Sequence, residues 1–375
     1  MLRNSRESKP PGTLGKTGGL SAGSSGGGTQ DAELFLLSAR SPERLAAKAA
    51  AMADAAAAWT GGQFALRARD TACKAKQARN FRAAVVASNP VTLSAALTAI
   101  AADPLGTTGV ARRAAFFGQA DQPQRIVFAF PHGGPAKLSH SNHWLDRFWE
   151  CRAAADEAAG LLRGGRSKSA VQALHNFAAG YAGLQVMQRC NVRPDAVIGA
   201  GNGELLACAA AGIVDEEDLL PLAAAAARGE PLGGMLSRFA FDDPAIPTFS
   251  ASSGLPVGDG GDAKAILAGL GGVSTRFAEA ATRAAPGLLI EIGPNGGLAE
   301  RAAEMGYDGI ATEAQSGPVH CLLLALAAAF AAGAPVNAAA LYEDRRLADT
   351  EDAAGYRPAA PARYAPAPSA AVLHA

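Results

Sequence analysis

The stretch "PDAVIGAGNGELLACAAAGIV", residues 194–214, carries the clearest chemical pattern in the chain. A short apolar run passes through a glycine cluster into a helical pattern. Strand, sharp turn and helix in that order make a nucleophile elbow when the turn reads G-x-S-x-G. The serine is then lifted above the sheet, and the next backbone N–H joins an oxyanion hole. Here the five positions are Gly199, Ala200, Gly201, Asn202 and Gly203, followed by Glu204. The glycines that make such a turn are present and Asn202 still offers its N–H, but Gly201 has no side chain with which to attack. A dinucleotide fingerprint, G-x-G-x-x-G, fits less well. Gly199 and Gly201 match, while the third glycine falls on Glu204, whose carboxylate would repel a pyrophosphate at the helix N-terminus. As a plain tight turn the segment needs no ligand, since Glu204 favours the helix dipole.

The other reactive residue types are dispersed. His132 follows the apolar run "RIVFAFP" and stands with Gly133 at a strand end, a cleft position. His140 and His143 in "SHSNHW" have only Asp146 near them at metal-like spacing, and His175 and His320 sit on apolar helices as core or interface residues. Cys73, Cys151, Cys190, Cys208 and Cys321 are odd in number and show no C-x-x-C spacing, so they read as reduced thiols. Cys208 lies about two turns down the helix from Gly201 and reads as a core thiol. No metal and no cofactor is expected.

The elements that must position the turn come from the periodicity. "RIVFAFP", "DAVIG", "IPTFSASSG" and "LLIEIG" are short apolar runs, separated by helical patterns at 168–190, from Glu204, near 274–285 and at 316–332. Strands buried on both faces and alternating with helices predict a doubly wound, mainly parallel α/β sheet with helices on both faces. Ahead of it, "LFLLSA", a helix opened by Ser41-Pro42-Glu43, "NFRAAVVAS" and a second helix make a small α+β unit. The expected divisions are a disordered Gly/Ser/Pro-rich segment over 1–32, a small α+β domain over 33–122, the α/β core over 123–345 and a Pro/Ala-rich tail over 346–375.

Composition narrows the partners. The 375 residues hold 34 Lys plus Arg and 34 Asp plus Glu, which gives no electrostatic reason to expect nucleic acid or anionic lipid. The longest apolar run, "CLLLALAAAFAAGAPV", meets Gly333 and Pro335 too early to span a bilayer. A cytoplasmic protein is expected.

Taken in order, these residues resemble the acyltransferase domain of modular polyketide synthases, of the malonyl-CoA:acyl-carrier-protein transacylase family. "LLSARSPERLAAKAAAMADA" and "RNFRAAVVAS" resemble the linker between ketosynthase and acyltransferase, and "RIVFAFPHGGP" the first strand, which in the family ends F-P-G-Q-G. "GAGNGE" resembles the G-H-S-x-G-E elbow, "LLIEIGPNGG" the segment ending in E-x-G-P, and "LLLALAAAFAAGAPVNAAALYEDR" the last helix and exit linker. The resemblance implies a serine at the place of Gly201, a histidine at that of Ala200, a glutamine at that of Gly133 and a carboxylate-binding arginine at that of Ala226. Arg228 lies two residues on, roughly 200° around a helix. It also implies a ferredoxin-like subdomain and a catalytic histidine between "ARGEPLGGM" and "PAIPTFS", for which this chain has no room. Together these departures predict a non-catalytic acyltransferase homologue, a structural or docking component of a polyketide or fatty-acid synthase, with a ketosynthase or an acyl carrier protein as partner. Two alternatives stay open. One is an acyl-loading enzyme with altered site residues drawn from His132, Asn202, Glu204 and Cys208, and the other a module that binds acyl-CoA or acyl carrier protein without turnover.

Overall fold

The computed structural model describes residues 32–75, 79–132, 148–161, 168–270, 276–294, 297–313, 318–343 and 345. Residues 1–31 and 346–375, and with them the expected disordered segment and tail, lie outside this range, as do Gly133, His140 and His143.

Strand β1 (Glu33–Ala39) is buried along its whole length, and the helix Pro42–Ala56 follows at once. Ser41 caps that helix by accepting the Arg44 N–H at 3.4 Å, and Pro42 opens it, as the sequence predicts. The helix Gly61–Lys74 leads to β2 (Phe81–Ala87), and the helices Pro90–Ala102 and Gly109–Ala114 lead to β3 (Phe116–Gln119). The three strands form an antiparallel sheet in the order β1-β2-β3. The third strand and the helix Gly61–Lys74 have no clear counterpart in the sequence pattern. "FFGQ" is four residues long and half-buried throughout, too short to show an alternation, and it owes its place to pairing with β2.

The second sheet contains β4 (Ile126–Phe130), β5 (Ala196–Gly199), β6 (Thr248–Ser250), β7 (Leu288–Glu291) and β8 (Asp308–Ala311). Every neighbouring pair is parallel, and the order is β6-β5-β4-β7-β8. Successive residues of a strand face opposite sides, and here the two sides feed two different cores. Ile126, Phe128, Phe130, Val197, Leu288 and Ile290 join one, while Val127, Ala129, Ala196, Ile198 and Leu289 join the other with Phe277, Ala280 and Leu298. That division explains why each strand reads as a continuous apolar run rather than an alternation. The register is pinned at the start of the sheet, where the Asp195 carboxylate accepts the Ile126 N–H at 2.8 Å and the Asp195 N–H donates to the Ile126 carbonyl at 2.7 Å.

Residues 200–247, all described, contain three helices and no strand, so β6 follows from β5 without an intervening small sheet. The core on the Phe128 face runs on without interruption into the α+β unit and the helix Pro318–Ala331. The chain order places β4 at the centre with connections leaving to either side. In such sheets the crevice outside the carboxyl ends of the central strands is where ligands bind.

Candidate functional site

Four strand ends meet at that carboxyl edge. β4 ends at Pro131-His132, β5 at Ala200-Gly201-Asn202, β6 at Ala251-Ser252 and β7 at Ile292-Gly293-Pro294. The turn after β5 is tied to β4, because the Ala200 N–H donates to the Phe130 carbonyl at 2.9 Å. Two further bonds close it into the helix Gly203–Ala210, from the Gly203 N–H to the Ala200 carbonyl and from the Glu204 N–H to the Gly201 carbonyl, both at 3.0 Å.

Its glycines answer to different constraints. Gly201 has φ +55°, the left-handed conformation that residues with a Cβ seldom adopt. Gly203 lets the helix approach β4, since a Cβ there would lie 2.1 Å from the Phe130 carbonyl oxygen. A Cβ on Gly199 would lie 2.5 Å from Glu204 Cα. The elbow is therefore a sterically closed turn.

At the apex stands an imidazole. His132 is exposed at the end of β4, and its Nδ1 accepts the Asn202 N–H at 3.2 Å. The amide that an elbow would present to a developing oxyanion thus already has an acceptor supplied by the chain.

Glu204 turns inward and is 1% exposed. Its Oε1 accepts from the Ser250 hydroxyl at 2.6 Å, from the Ser252 hydroxyl at 3.0 Å and from the Ser252 N–H at 3.3 Å. Burial pushes its carboxyl up to about 7 against the opposing pull of these hydrogen bonds. The carboxylate therefore ties the elbow to the end of β6 and does not project into the cleft. Ser250 and Ser252 have no motif of their own in the sequence. The one available signal is an acid at a helix N-terminus beside a serine-rich strand end, and it becomes readable only once β6 is known to neighbour β5.

On the other side of the crevice Glu291 is fully buried. It accepts the Ala299 N–H at 2.8 Å and so holds the start of the helix Leu298–Glu304. Gly293, in the E-x-G-P turn, has φ +116° and packs against Gly180 of the helix Lys168–Arg189. Glu313 is buried just past β8, and burial together with the Glu291 charge raises its carboxyl to about 7.

Between these walls lies an open depression of about 220 Å³, lined by Pro131, His132, Asn176, Phe177, Asn202, Gly203, Leu206, Ile292, Gly293 and Pro294. Its described lining contains no hydroxyl and no thiol. An adjoining hollow shares Phe177 and Asn202 and includes Ala226, so the position where the resemblance implies an arginine presents a methyl group. Arg228 is not brought to the cleft. It follows the helix Glu216–Ala227 as its C-terminal cap and forms a two-point ion pair with Glu230, one contact being Nη2 to Oε2 at 2.9 Å. Cys208 is buried, and burial with the Glu204 charge pushes its thiol well above the usual range, which suppresses the thiolate. Among the described residues no group of three His, Cys, Asp or Glu side chains is placed to hold a metal ion.

No known protein family matches the sequence by its profile, and no curated protein matches it. Solved structures do match. The acyltransferase domain of the iterative polyketide synthase in enediyne biosynthesis superposes with a TM-score of 0.66 at 20% identity, covering 84% of this chain and 100% of that one. The acyltransferase domain of ZmaA gives 0.66 at 15% identity over 86% of this chain and 98% of that one. The acyltransferase domain from module 8 of the salinomycin polyketide synthase gives 0.59 at 19% identity, covering 82% and 97%. The chain has the fold of polyketide synthase acyltransferase domains.

Proposed function

We propose that this protein is a non-catalytic acyltransferase homologue that serves as a structural or docking component of a polyketide or fatty-acid synthase. One observation carries the reading. A tight strand–turn–helix stands where the resemblance places the nucleophile elbow, while its apex, Gly201, and the described lining of the cleft hold no hydroxyl or thiol to accept an acyl group. Acyl transfer from a thioester through the enzyme requires a nucleophile, a base and an oxyanion hole acting together. Here the family's serine position is Gly201, no hydroxyl or thiol stands in the described lining of the cleft, and the Asn202 amide is engaged by His132.

The partners proposed are a ketosynthase, met through the α+β unit, and an acyl carrier protein, in the cytoplasm. Among the described residues no helix is long and apolar enough to cross a membrane, and no disulfide joins the five cysteines. Intact-mass measurement after incubation with malonyl-CoA and acetyl-CoA tests the chemical half of the proposal. The mass stays unchanged and no label passes to a carrier protein, whereas a covalent acyl adduct refutes it. Co-elution of the full chain with a ketosynthase encoded beside it tests the docking half, and monomeric elution with no binding to ketosynthase or carrier protein overturns it.

A further inference from the structure

The ring of His132 and the side chain that residue 201 lacks claim one volume. A Cβ built on Gly201 would lie 2.1 Å from His132 Nδ1, 2.7 Å from its Cγ and 2.9 Å from its Cβ. Carbon contacts settle at about 3.5–4 Å, so the two groups exclude each other. Nδ1 is also the atom that accepts the Asn202 N–H at 3.2 Å. A ring nitrogen that accepts a hydrogen bond carries no proton, which puts the proton of the neutral ring on Nε2.

We propose that His132 is a built-in plug of the elbow, its imidazole filling the place of the absent side chain and occupying the Asn202 amide. A carbonyl or carboxylate oxygen reaches that amide only with the ring displaced. Positions 132 and 201 therefore behave as one coupled pair, and a side chain returned to 201 must first evict the ring. The inference goes beyond the proposed function, because the coupling holds whether or not the chain transfers acyl groups.

A double-mutant cycle read by urea unfolding tests it. Gly201→Ala raises the unfolding equilibrium constant about 100-fold, combining the left-handed backbone with the clash against the ring. In a His132→Ala background the same change costs about tenfold less, because the ring contacts are gone and only the backbone strain and the 2.9 Å approach to the Cβ of residue 132 remain. Equal costs in the two backgrounds overturn the proposal. A measurement on the unmodified protein makes the test independent of how the variants fold. In ¹⁵N spectra at mildly alkaline pH, His132 Nδ1 is expected as the unprotonated nitrogen and Nε2 as the protonated one. A proton found on Nδ1 overturns the plug.

Discussion

The elbow after β5 and the seam between the two sheets both bring polar groups into the interior, but they do it with opposite materials. At the elbow side chains are withdrawn. Glycine stands at each close backbone approach, and the inward acid is answered by small serine hydroxyls. At the seam large charged side chains are driven in. Arg82, on β2 and 3% exposed, donates from Nη1 to the carbonyls of Phe330 and Ala334, both at 3.0 Å, and lies 5.0 Å over the Phe330 ring. Those carbonyls close the C-terminal end of the helix Pro318–Ala331, where the helix dipole favours a cation. Glu33 on β1 accepts from Tyr342 Oη at 3.1 Å and from Arg345 Nη1 at 2.6 Å. The difference is one of material: glycine and small hydroxyls around buried acids at the elbow, long charged side chains at the seam.

The contrast can be attacked first through pH. Glu204 and Glu313 each rise from an ordinary 4.5 to about 7 on folding, so the folded protein holds protons that the unfolded chain releases. Their stabilising contribution is complete below about pH 4.5 and is lost as pH rises through about 7, on the order of 3 kcal/mol for each group. Urea midpoints measured across that range should fall, and Glu204→Gln combined with Glu313→Gln should flatten the slope. A slope unchanged by the double variant would place the titrating groups elsewhere. Next in size is Arg82→Ala, which takes one of two donors from each of the Phe330 and Ala334 carbonyls, leaving them the Gly333 and Val336 N–H groups, and opens a void beneath Phe330. It should cost about 4 kcal/mol in urea unfolding, and a loss below 1 kcal/mol would erase the contrast with the elbow. Ser250→Ala removes the 2.6 Å hydroxyl from Glu204 and should cost about 2 kcal/mol. It should also move the Glu204 transition to higher pH, because a hydrogen bond that favours the charged form is gone. Arg345→Ala, on a largely buried partner of Glu33 whose carboxylate keeps the Tyr342 hydroxyl, should cost about 1.5 kcal/mol. A larger loss there than for Ser250→Ala would show the seam's charged pair to outweigh the elbow's hydroxyl contact.

Much of the fold is legible in the sequence where local rules act alone. The strands β4, β5 and β7 stand out because burial on both faces demands unbroken apolar runs, and Ser41-Pro42 marks a helix start through its own cap. The elbow is legible because close backbone approach permits only glycine at Gly199 and Gly203. What is not legible depends on which strands become neighbours. Ser250 and Ser252 reach Glu204 only because β6 pairs with β5, and nothing within "TFSASS" announces that pairing. Arg82 sits inside a strand pattern as an ordinary exposed-type residue, and its burial follows from a helix about 250 residues further along. His132 was readable as a cleft residue, whereas the volume its ring fills follows from the φ of Gly201, a property of the folded turn.

The meeting of Glu33 with Tyr342 and Arg345 has a mechanical consequence. Residues 33 and 345, close to the two ends of the described range, meet at one spot. Tension applied along the chain from both directions falls first on this one junction, and the parallel sheet stays outside the load path until the junction parts. The same adjacency makes the body a candidate for circular permutation, with a short link across the junction and new ends opened at the exposed turn of Gly229 and Glu230.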